Sequence, residues 1–282
     1  MKRILVVDDD RTTRHLMQSL LKKAGYDVAL CADGKEALET LARDKFDLVL
    51  LDVWMPEMTG LDLLNRMGQS LNMPPAIVMT TDDTPQTLLG AVREQAYDFV
   101  HKPVEAEPFL ELVQATLERK RDKLHIEVVS ARPNWVELVV PCDMETAGRI
   151  QNFLSKLDAG LPDDVRNNVG QAFHELLLNA IEWGGKLDPT RKVRIACVRT
   201  SRLLIYRIAD PGKGFSFEGL SHAAISQPRD TPTVHAEVRE EKGLRPGGFG
   251  LLMTTAMVDD LVYNEKQNEV LFVKFLEPPR SA

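Results

Sequence analysis

The sequence predicts an α/β protein. Its first half reads as a doubly wound, five-stranded parallel sheet, and its second half as a separate domain of helices and strands. Three observations predict this. Short apolar runs alternate with amphipathic helical stretches five times over residues 1–122. The strongest apolar runs stop at polar residues, as strands do where they reach a ligand-binding edge. At 282 residues the chain has room for two cores.

The elements follow in order. Residues 4–7 are an apolar strand ending in Asp8, Asp9 and Asp10. Residues 12–24 form an amphipathic helix with Leu16, Leu20 and Leu21 inward, closed by Gly25. Residues 28–30 are a second strand, and 35–43 a helix carrying Ala37, Leu38 and Leu41. The run Asp47 to Pro56, DLVLLDVWMP, is a buried strand that delivers Asp52 into a loop. A helix over 60–67, a strand over 76–79 ending in Thr80, and a helix near 85–95 come next. A strand over 98–100 before Lys102–Pro103, and a helix over 106–120, complete the series.

Composition narrows the function. Hydrophobic content of 44% and charged content of 27% are those of an ordinary soluble globular protein. No run is long and apolar enough to span a membrane, and the first residues enter a strand directly, so no signal peptide is expected. Cys31, Cys142 and Cys197 lie far apart without a CxxC, which suits a reducing cytoplasm and disfavours zinc or disulfides. Residues 1–122 carry 15 Lys/Arg against 21 Asp/Glu, and residues 123–282 carry 20 against 21. Neither half has the basic excess of a nucleic-acid binder.

The strand ends of the first half form a constellation. Strand one supplies Asp8 and Asp9, strand three Asp52, strand four Thr80 and strand five Lys102. In a doubly wound sheet these ends share one edge. Three carboxylates repel one another and call for a cation, and oxygen-only ligands suit Mg²⁺. An amine and a hydroxyl opposite the metal can hold the remaining oxygens of a transferred phosphoryl group. Asp52 is then the nucleophile. Any one of these residues alone would be an ordinary turn residue; five at matching strand ends are more than turns supply.

On these residues, together with the WMP after Asp52 and the Lys102–Pro103 pair, residues 1–122 resemble a response-regulator receiver domain. The resemblance implies phosphotransfer from a sensor histidine kinase to Asp52 and a cis peptide before Pro103. Phe99 falls at the switch aromatic position, where a plain core aromatic is the competing reading. Trp54 and Asp82 fall two residues after Asp52 and Thr80, at positions that overlook the acyl phosphate and govern water access.

The domain junction is expected near residues 121–134, with a linker over 123–133 and the second domain over 134–282. Residues 119–123, RKRDK, read as a solvated helix end, because no aromatic residues interleave the charges. Residues 125–130 and 135–140 alternate as strands around Arg132–Pro133.

In the second half, residues 144–156 form a helix with Ala147, Ile150, Phe153, Leu154 and Leu157 on one side. A second helix runs from near Pro162 to about Trp183, with Val165, Val169, Ala172, Leu176 and Ala180 as its core stripe. Glu175 and Asn179, four apart, share a face beside that stripe. Strands over 192–198 and 203–209 follow. They hold Lys192, Arg194 and Arg207, flanked by Arg191, Arg199 and Arg202, and read as a solvated face or a docking surface for an acidic partner. Asp210-Pro-Gly-Lys-Gly214 ends the second strand, residues 215–246 are polar and loop-like, and Gly247-Gly-Phe-Gly-Leu251 opens a helix through residue 257. Strands over 260–264 and 270–275 close the chain. Glycines before a helix let backbone N–H groups approach phosphates, and Asp210 can accept from a donor such as an adenine amino group. Asn179 can offer its oxygen to Mg²⁺, and Glu175 can polarise a hydroxyl.

The order Glu-x-x-x-Asn, Asp-x-Gly-x-Gly, long loop, Gly-x-Gly-Leu resembles the ATP-binding fold shared by gyrase, the heat-shock chaperone, histidine kinases and mismatch-repair proteins, here called GHKL. The resemblance covers about residues 134–282 and implies an α/β sandwich. Within it the chain is most similar to anti-sigma-factor serine kinases. That implies ATP and Mg²⁺ as cofactors. Asn179 would hold Mg²⁺, Asp210 would read adenine, and Gly212, Gly214, Gly248 and Gly250 would shape the nucleotide site. Glu175 would be the base. Trp183 departs from the histidine or smaller aromatic common there and reads as a core aromatic capping the helix. A hybrid histidine kinase would need a helical hairpin bearing an acceptor histidine. The junction is too short for one, His125 starts a strand, and His174 lies within the nucleotide-site helix.

Two functions follow as expectations. In the first, phosphorylation of Asp52 controls an ATP-dependent serine/threonine kinase whose substrate is an anti-sigma antagonist with a STAS fold. In the second, the ATP-binding domain sequesters a sigma factor or its antagonist without phosphorylating it. A homodimer is compatible with both; direct nucleic-acid or membrane binding is not expected.

Overall fold

The computed structural model describes residues 1–68, 74–82, 84–118, 126–158, 160–215 and 250–276. The chain divides into two compact units, Met1–Lys123 and Leu124–Ala282.

The first unit alternates β1 (Arg3–Val7), α1 (Arg11–Lys23), β2 (Asp27–Cys31), α2 (Gly34–Arg43), β3 (Leu48–Asp52), α3 (Gly60–Gly68), β4 (Ala76–Thr80), α4 (Pro85–Arg93), β5 (Asp98–His101) and α5 (Ala106–Glu118). The sheet order is β2-β1-β3-β4-β5, with every pair parallel. The order reverses between β1 and β3, which is where such sheets open a crevice at their C-terminal edge. All five residues of β3 and of β4 are buried, the mark of strands covered on both faces. Each fully buried Leu, Ile or Val there contributes roughly 1.5–3 kcal/mol.

Asp10 caps α1, its carboxylate accepting the N–H groups of Thr12 and Thr13. The core stripe of α1 centres on Met17 and Leu21, with Leu20 packed alongside. Leu16, expected inward, is 60% exposed. It precedes Met17 by one residue, about 100° around the helix, which turns it off the stripe. Gly25 has φ +88°, and the Lys102–Pro103 peptide is cis.

The second unit holds β6 (Glu127–Arg132), β7 (Trp135–Pro141), α6 (Met144–Leu157), α7 (Asp163–Asn179), β8 (Lys192–Arg199), β9 (Leu203–Ala209), α8 (Gly250–Met257), β10 (Asp260–Tyr263) and β11 (Glu269–Phe275). Its sheet order is β10-β11-β9-β8-β7-β6, with antiparallel neighbours throughout. Residues 127–132 fall within the stretch expected to be linker, but they form the edge strand β6, hydrogen-bonded to β7. α7 lies on this sheet. Its Phe173 meets Tyr206 at 5.4 Å between ring centroids, and Tyr206 stacks on Phe272 at 5.0 Å. Alternation along β9 sends Leu204, Tyr206 and Ile208 to this buried face.

α7 does not continue as an α-helix to Trp183. It ends at Asn179, and Ala180–Gly184 make a π-helical turn. Trp183, expected in the core, is 46% exposed. The wider turn rotates it off the stripe that Leu176 and Ala180 define. Three of the basic residues around β8 and β9 meet acidic partners from neighbouring elements: Arg207 pairs with Glu269, Lys192 with Glu127 at 3.8 Å, and Arg199 with Asp158 at 4.0 Å. Cys31, Cys142 and Cys197 are buried and unbridged. Among the described residues no helix is long and apolar enough to cross a membrane. Arg119–Lys123 and His125 lie outside the described residues.

Candidate functional site

The C-terminal edge of the first sheet gathers the five residues expected there. β1 leads into Asp8 and Asp9, β3 ends in Asp52, β4 ends in Thr80, and Lys102 follows β5. Asp8, Asp52 and Thr80 are buried, while Asp9 is exposed. The Lys102 Nζ donates to Asp8 Oδ2 and to Asp52 Oδ1, each at 2.7 Å. The other Asp8 oxygen accepts the Asp10 N–H at 2.9 Å.

Electrostatics follow from this crowding. Burial pushes the Asp52 carboxyl up, with Lys102 opposing and Asp8 and Asp9 adding to the rise. Burial alone would lower Lys102, but its bonds to Asp52 and Asp8 raise it. One oxygen from each of Asp8, Asp9 and Asp52 lies within 4.8 Å of the others. A set of hard carboxylate oxygens with one exposed member fits Mg²⁺, which keeps several of its waters.

Two loops border this pocket. The Thr80 hydroxyl accepts the Asp82 N–H at 2.9 Å. Asp82 accepts from Thr84 N at 2.9 Å and Thr87 Oγ1 at 2.9 Å, at the start of α4. Those bonds, the Thr84 N–H first, hold its carboxyl below the usual range, and the nearby Trp54 indole adds a smaller effect in the same direction. Trp54 is 54% exposed, so its indole lies over the loops and not inside the sheet. Phe99 is buried on β5 beside Val78 of β4.

Gly60 is a residue that sequence reading passed over. A Cβ there would fall 2.0 Å from the Asp52 carbonyl oxygen, and its N–H donates to Val53 O at 2.8 Å. Only glycine lets α3 start this close behind Asp52.

In the second unit Asp210 directly follows β9. Its Oδ1 accepts the Gly212 N–H at 2.6 Å. Burial raises its carboxyl, opposed by that N–H and by the Arg191 charge. A Cβ at Gly184 would come within 2.2 Å of the same Oδ1, and one at Gly212 within 2.6 Å. The carboxylate therefore lies in a cradle made by two missing side chains. Gly214 has φ +82° and packs on the Lys266 carbonyl of the β10–β11 hairpin. Asn268 of that hairpin accepts the Asp210 N–H through its carbonyl at 2.9 Å, and its side chain donates to Gly212 O at 3.2 Å. Gly184 and Asn268 carry no motif and show themselves only in three dimensions.

Glu175 and Asn179 sit one turn apart near the end of α7, both half-buried. A Cβ on Gly250 would meet Glu175 Oε2 at 2.3 Å, so the carboxylate rests against the first residue of α8. Gly248 and most of the polar stretch over 215–246 lie outside the described residues; Phe215 meets Tyr263 edge-on at 5.5 Å.

Two family models match the chain, one in each half. The family model for the response regulator receiver domain matches residues 4–114, and that for the histidine kinase-like ATPase domain matches residues 140–274. The DNA-binding response regulator MtrA of Mycolicibacterium paratuberculosis is 31% identical over 183 residues, 65% of this chain and 80% of MtrA. The chain belongs to the response-regulator family. The response regulator MprA of Mycolicibacterium vanbaalenii is 38% identical over 117 residues, 42% of this chain and 51% of MprA. The chain thus spans about half the length of that relative. Among solved structures, the chemotaxis protein CheY4 of Vibrio cholerae is 32% identical with a TM-score of 0.39, over 41% of this chain and 98% of CheY4. The Asp8–Asp52–Lys102 pocket lies in the receiver domain, which implies a phosphodonor such as a histidine kinase. Glu175, Asn179 and Asp210 lie in the ATPase domain, which implies ATP binding.

Proposed function

We propose that phosphorylation of Asp52 by a sensor histidine kinase controls an ATP-dependent serine/threonine-protein kinase formed by the second unit. Its substrate is a STAS-type anti-sigma antagonist, so the response regulator acts by partner switching in the cytoplasm. The observation that carries the reading is the Glu175 carboxylate lying against Gly250 at the start of α8. A helix start preceded by glycines is where phosphates are held, and a carboxylate there can take the proton of an acceptor hydroxyl.

In the receiver, Asp52 supplies the attacking carboxylate oxygen. Lys102, already bonded to Asp52 Oδ1, is placed to pair with the oxygens of an incoming phosphoryl group. Thr80, at the end of the neighbouring strand β4, offers a hydroxyl on the same edge. Mg²⁺ on Asp8, Asp9 and Asp52 would neutralise charge on the phosphoryl oxygens. In the ATPase domain Asn179 would offer its amide oxygen to a second Mg²⁺, and Asp210 would accept from the adenine amino group. Gly212, Gly214 and Gly250 would leave room for the backbone to approach the nucleotide; Gly248, read with them from the sequence, lies outside the described residues.

The test is Glu175→Gln in the full chain. The reading expects nucleotide affinity within about threefold of wild type, with phosphate transfer to a STAS antagonist reduced by at least about 10²-fold. If wild type binds ATP but transfers no phosphate to such antagonists, the domain is a sequestering module and the kinase reading fails.

A further inference from the structure

Arg191 stands immediately before β8 and is half-buried. Its Nη2 donates to the Pro211 carbonyl at 2.6 Å, and its Nη1 reaches the Gly185 carbonyl at 3.5 Å. These carbonyls belong to the two chain segments that enclose Asp210. Gly185 follows the π-helical turn after α7, and Pro211 follows Asp210 itself.

The two segments pack almost backbone to backbone. A Cβ at Gly212 would lie 3.0 Å from Gly184 Cα and 3.2 Å from its carbonyl oxygen. Neither glycine contributes a side chain that would interlock the walls around the Asp210 carboxylate, so their spacing depends on the groups that tie them together. Arg191 supplies a tie from the side. Its own backbone carbonyl also accepts the Cys142 N–H at 3.0 Å, and Cys142 Sγ lies 2.3 Å from where a Gly185 Cβ would be. One residue therefore joins the ends of β7, α7 and β9 around the Asp210 cradle. A planar guanidinium can direct separate N–H groups at two carbonyls, which an ammonium on a flexible stem does less well.

We infer that Arg191 is a positioning residue for nucleobase selection: by holding Pro211 against Gly185 it fixes the Asp210 carboxylate where adenine is accepted and guanine rejected. This rests on the reading of Asp210 as the base acceptor. An ionised carboxylate only accepts hydrogen bonds. Adenine presents an amino donor where guanine presents a carbonyl acceptor. A site built around one such contact discriminates strongly against the base that cannot make it, provided the acceptor is held in place.

The experiment titrates fluorescent ATP and GTP analogues against the full chain, comparing wild type with Arg191→Ala, Arg191→Gln and Asp210→Asn. Arg191→Ala is expected to lose about tenfold in affinity for the ATP analogue, as for one hydrogen bond to a charged group, with little change for GTP. The ATP-over-GTP ratio therefore collapses by a similar factor. Arg191→Gln keeps one donor and is expected to retain part of the ratio. An unchanged ratio in Arg191→Ala, or an equal loss for both nucleotides, overturns the inference, since a merely structural tie would move both alike. If Arg191→Ala does not fold, Arg191→Gln decides, and a wild-type ratio there overturns the inference. If Asp210→Asn keeps the wild-type ratio, the reading of Asp210 fails; if it loses the ratio while both Arg191 variants keep it, only the role of Arg191 fails.

Discussion

Lys102 bridges Asp52 and Asp8, its ammonium 2.7 Å from a carboxylate oxygen of each. Among the described residues it is the cation paired with both carboxylates, and both are almost fully shielded from water. Lys102→Ala leaves two buried like charges uncompensated, and the receiver is expected to lose about 3 kcal/mol. Millimolar Mg²⁺ should restore part of that loss, because a cation bound by the folded pocket replaces the missing charge. Urea unfolding with and without Mg²⁺ checks both statements. Wild-type stability in the variant, or no recovery with Mg²⁺, would contradict them.

Two glycines in the ATPase domain should separate binding from transfer. Gly184→Ala drives a Cβ into Asp210, and Gly250→Ala drives one into Glu175. The first should weaken ATP binding by at least about tenfold, since the base acceptor is displaced. The second moves the end of a flexible carboxylate and should lower phosphate transfer more than affinity. Nucleotide titration beside a transfer assay reads the difference. If the two variants give the same pattern, the roles assigned to Asp210 and Glu175 are wrong.

A buried acid sets a pH dependence away from both sites. Asp158 accepts the Tyr206 hydroxyl at 2.6 Å, and burial raises its carboxyl, with Tyr206 and Arg199 opposing. Between about pH 3.9, the unfolded value, and the raised folded value, the native state holds more protons than the unfolded state. Stability from this group therefore falls as pH rises through that interval and stays lost above it. Asp158→Asn can still accept from Tyr206 but does not titrate. Its stability relative to wild type should improve from mildly acidic to neutral pH, as read by urea unfolding at each pH. A relative gain that grew on acidification would oppose this account.

The Trp54 indole stands beside Asp82, on the loops that border Asp52 and Thr80. An indole in that place should slow the approach of water to a phosphoryl group on Asp52. Trp54→Ala is expected to shorten the life of phospho-Asp52 by roughly two- to tenfold, with little effect on stability because the side chain is half exposed. Dephosphorylation rates after removal of the phosphodonor measure it, and an unchanged rate removes Trp54 from that role.

The receiver pocket was legible because Asp8, Asp52 and Thr80 end apolar runs and Lys102 follows shortly after another, so the strand pattern carries all four to one edge. Glu175, Asn179 and Asp210 were legible from their order along the chain. Gly60, Gly184, Asn268 and Arg191 were not, because each acts on a group distant in sequence or through its backbone. Leu16 misled because a leucine at the rim of a helical stripe looks like one at its centre, while Met17 held the central place. Trp183 misled because a π-helical turn leaves no mark on apolar spacing. The strand expected over 125–130 is β6, yet the linker was drawn across it because an edge strand with no fully buried residue gives little sign of belonging to a core.

The most direct test of the central claim is transfer of labelled phosphate from ATP to a STAS antagonist by the full chain, with and without a small-molecule phosphodonor for Asp52. The account expects transfer to change by at least about tenfold on phosphorylation, a coupling of about 1.4 kcal/mol, and Asp52→Asn to show no response to the donor. Equal transfer by phosphorylated wild type and Asp52→Asn would show that Asp52 does not control the second unit. No transfer in any sample that still binds ATP would show that the unit is not a kinase for that substrate.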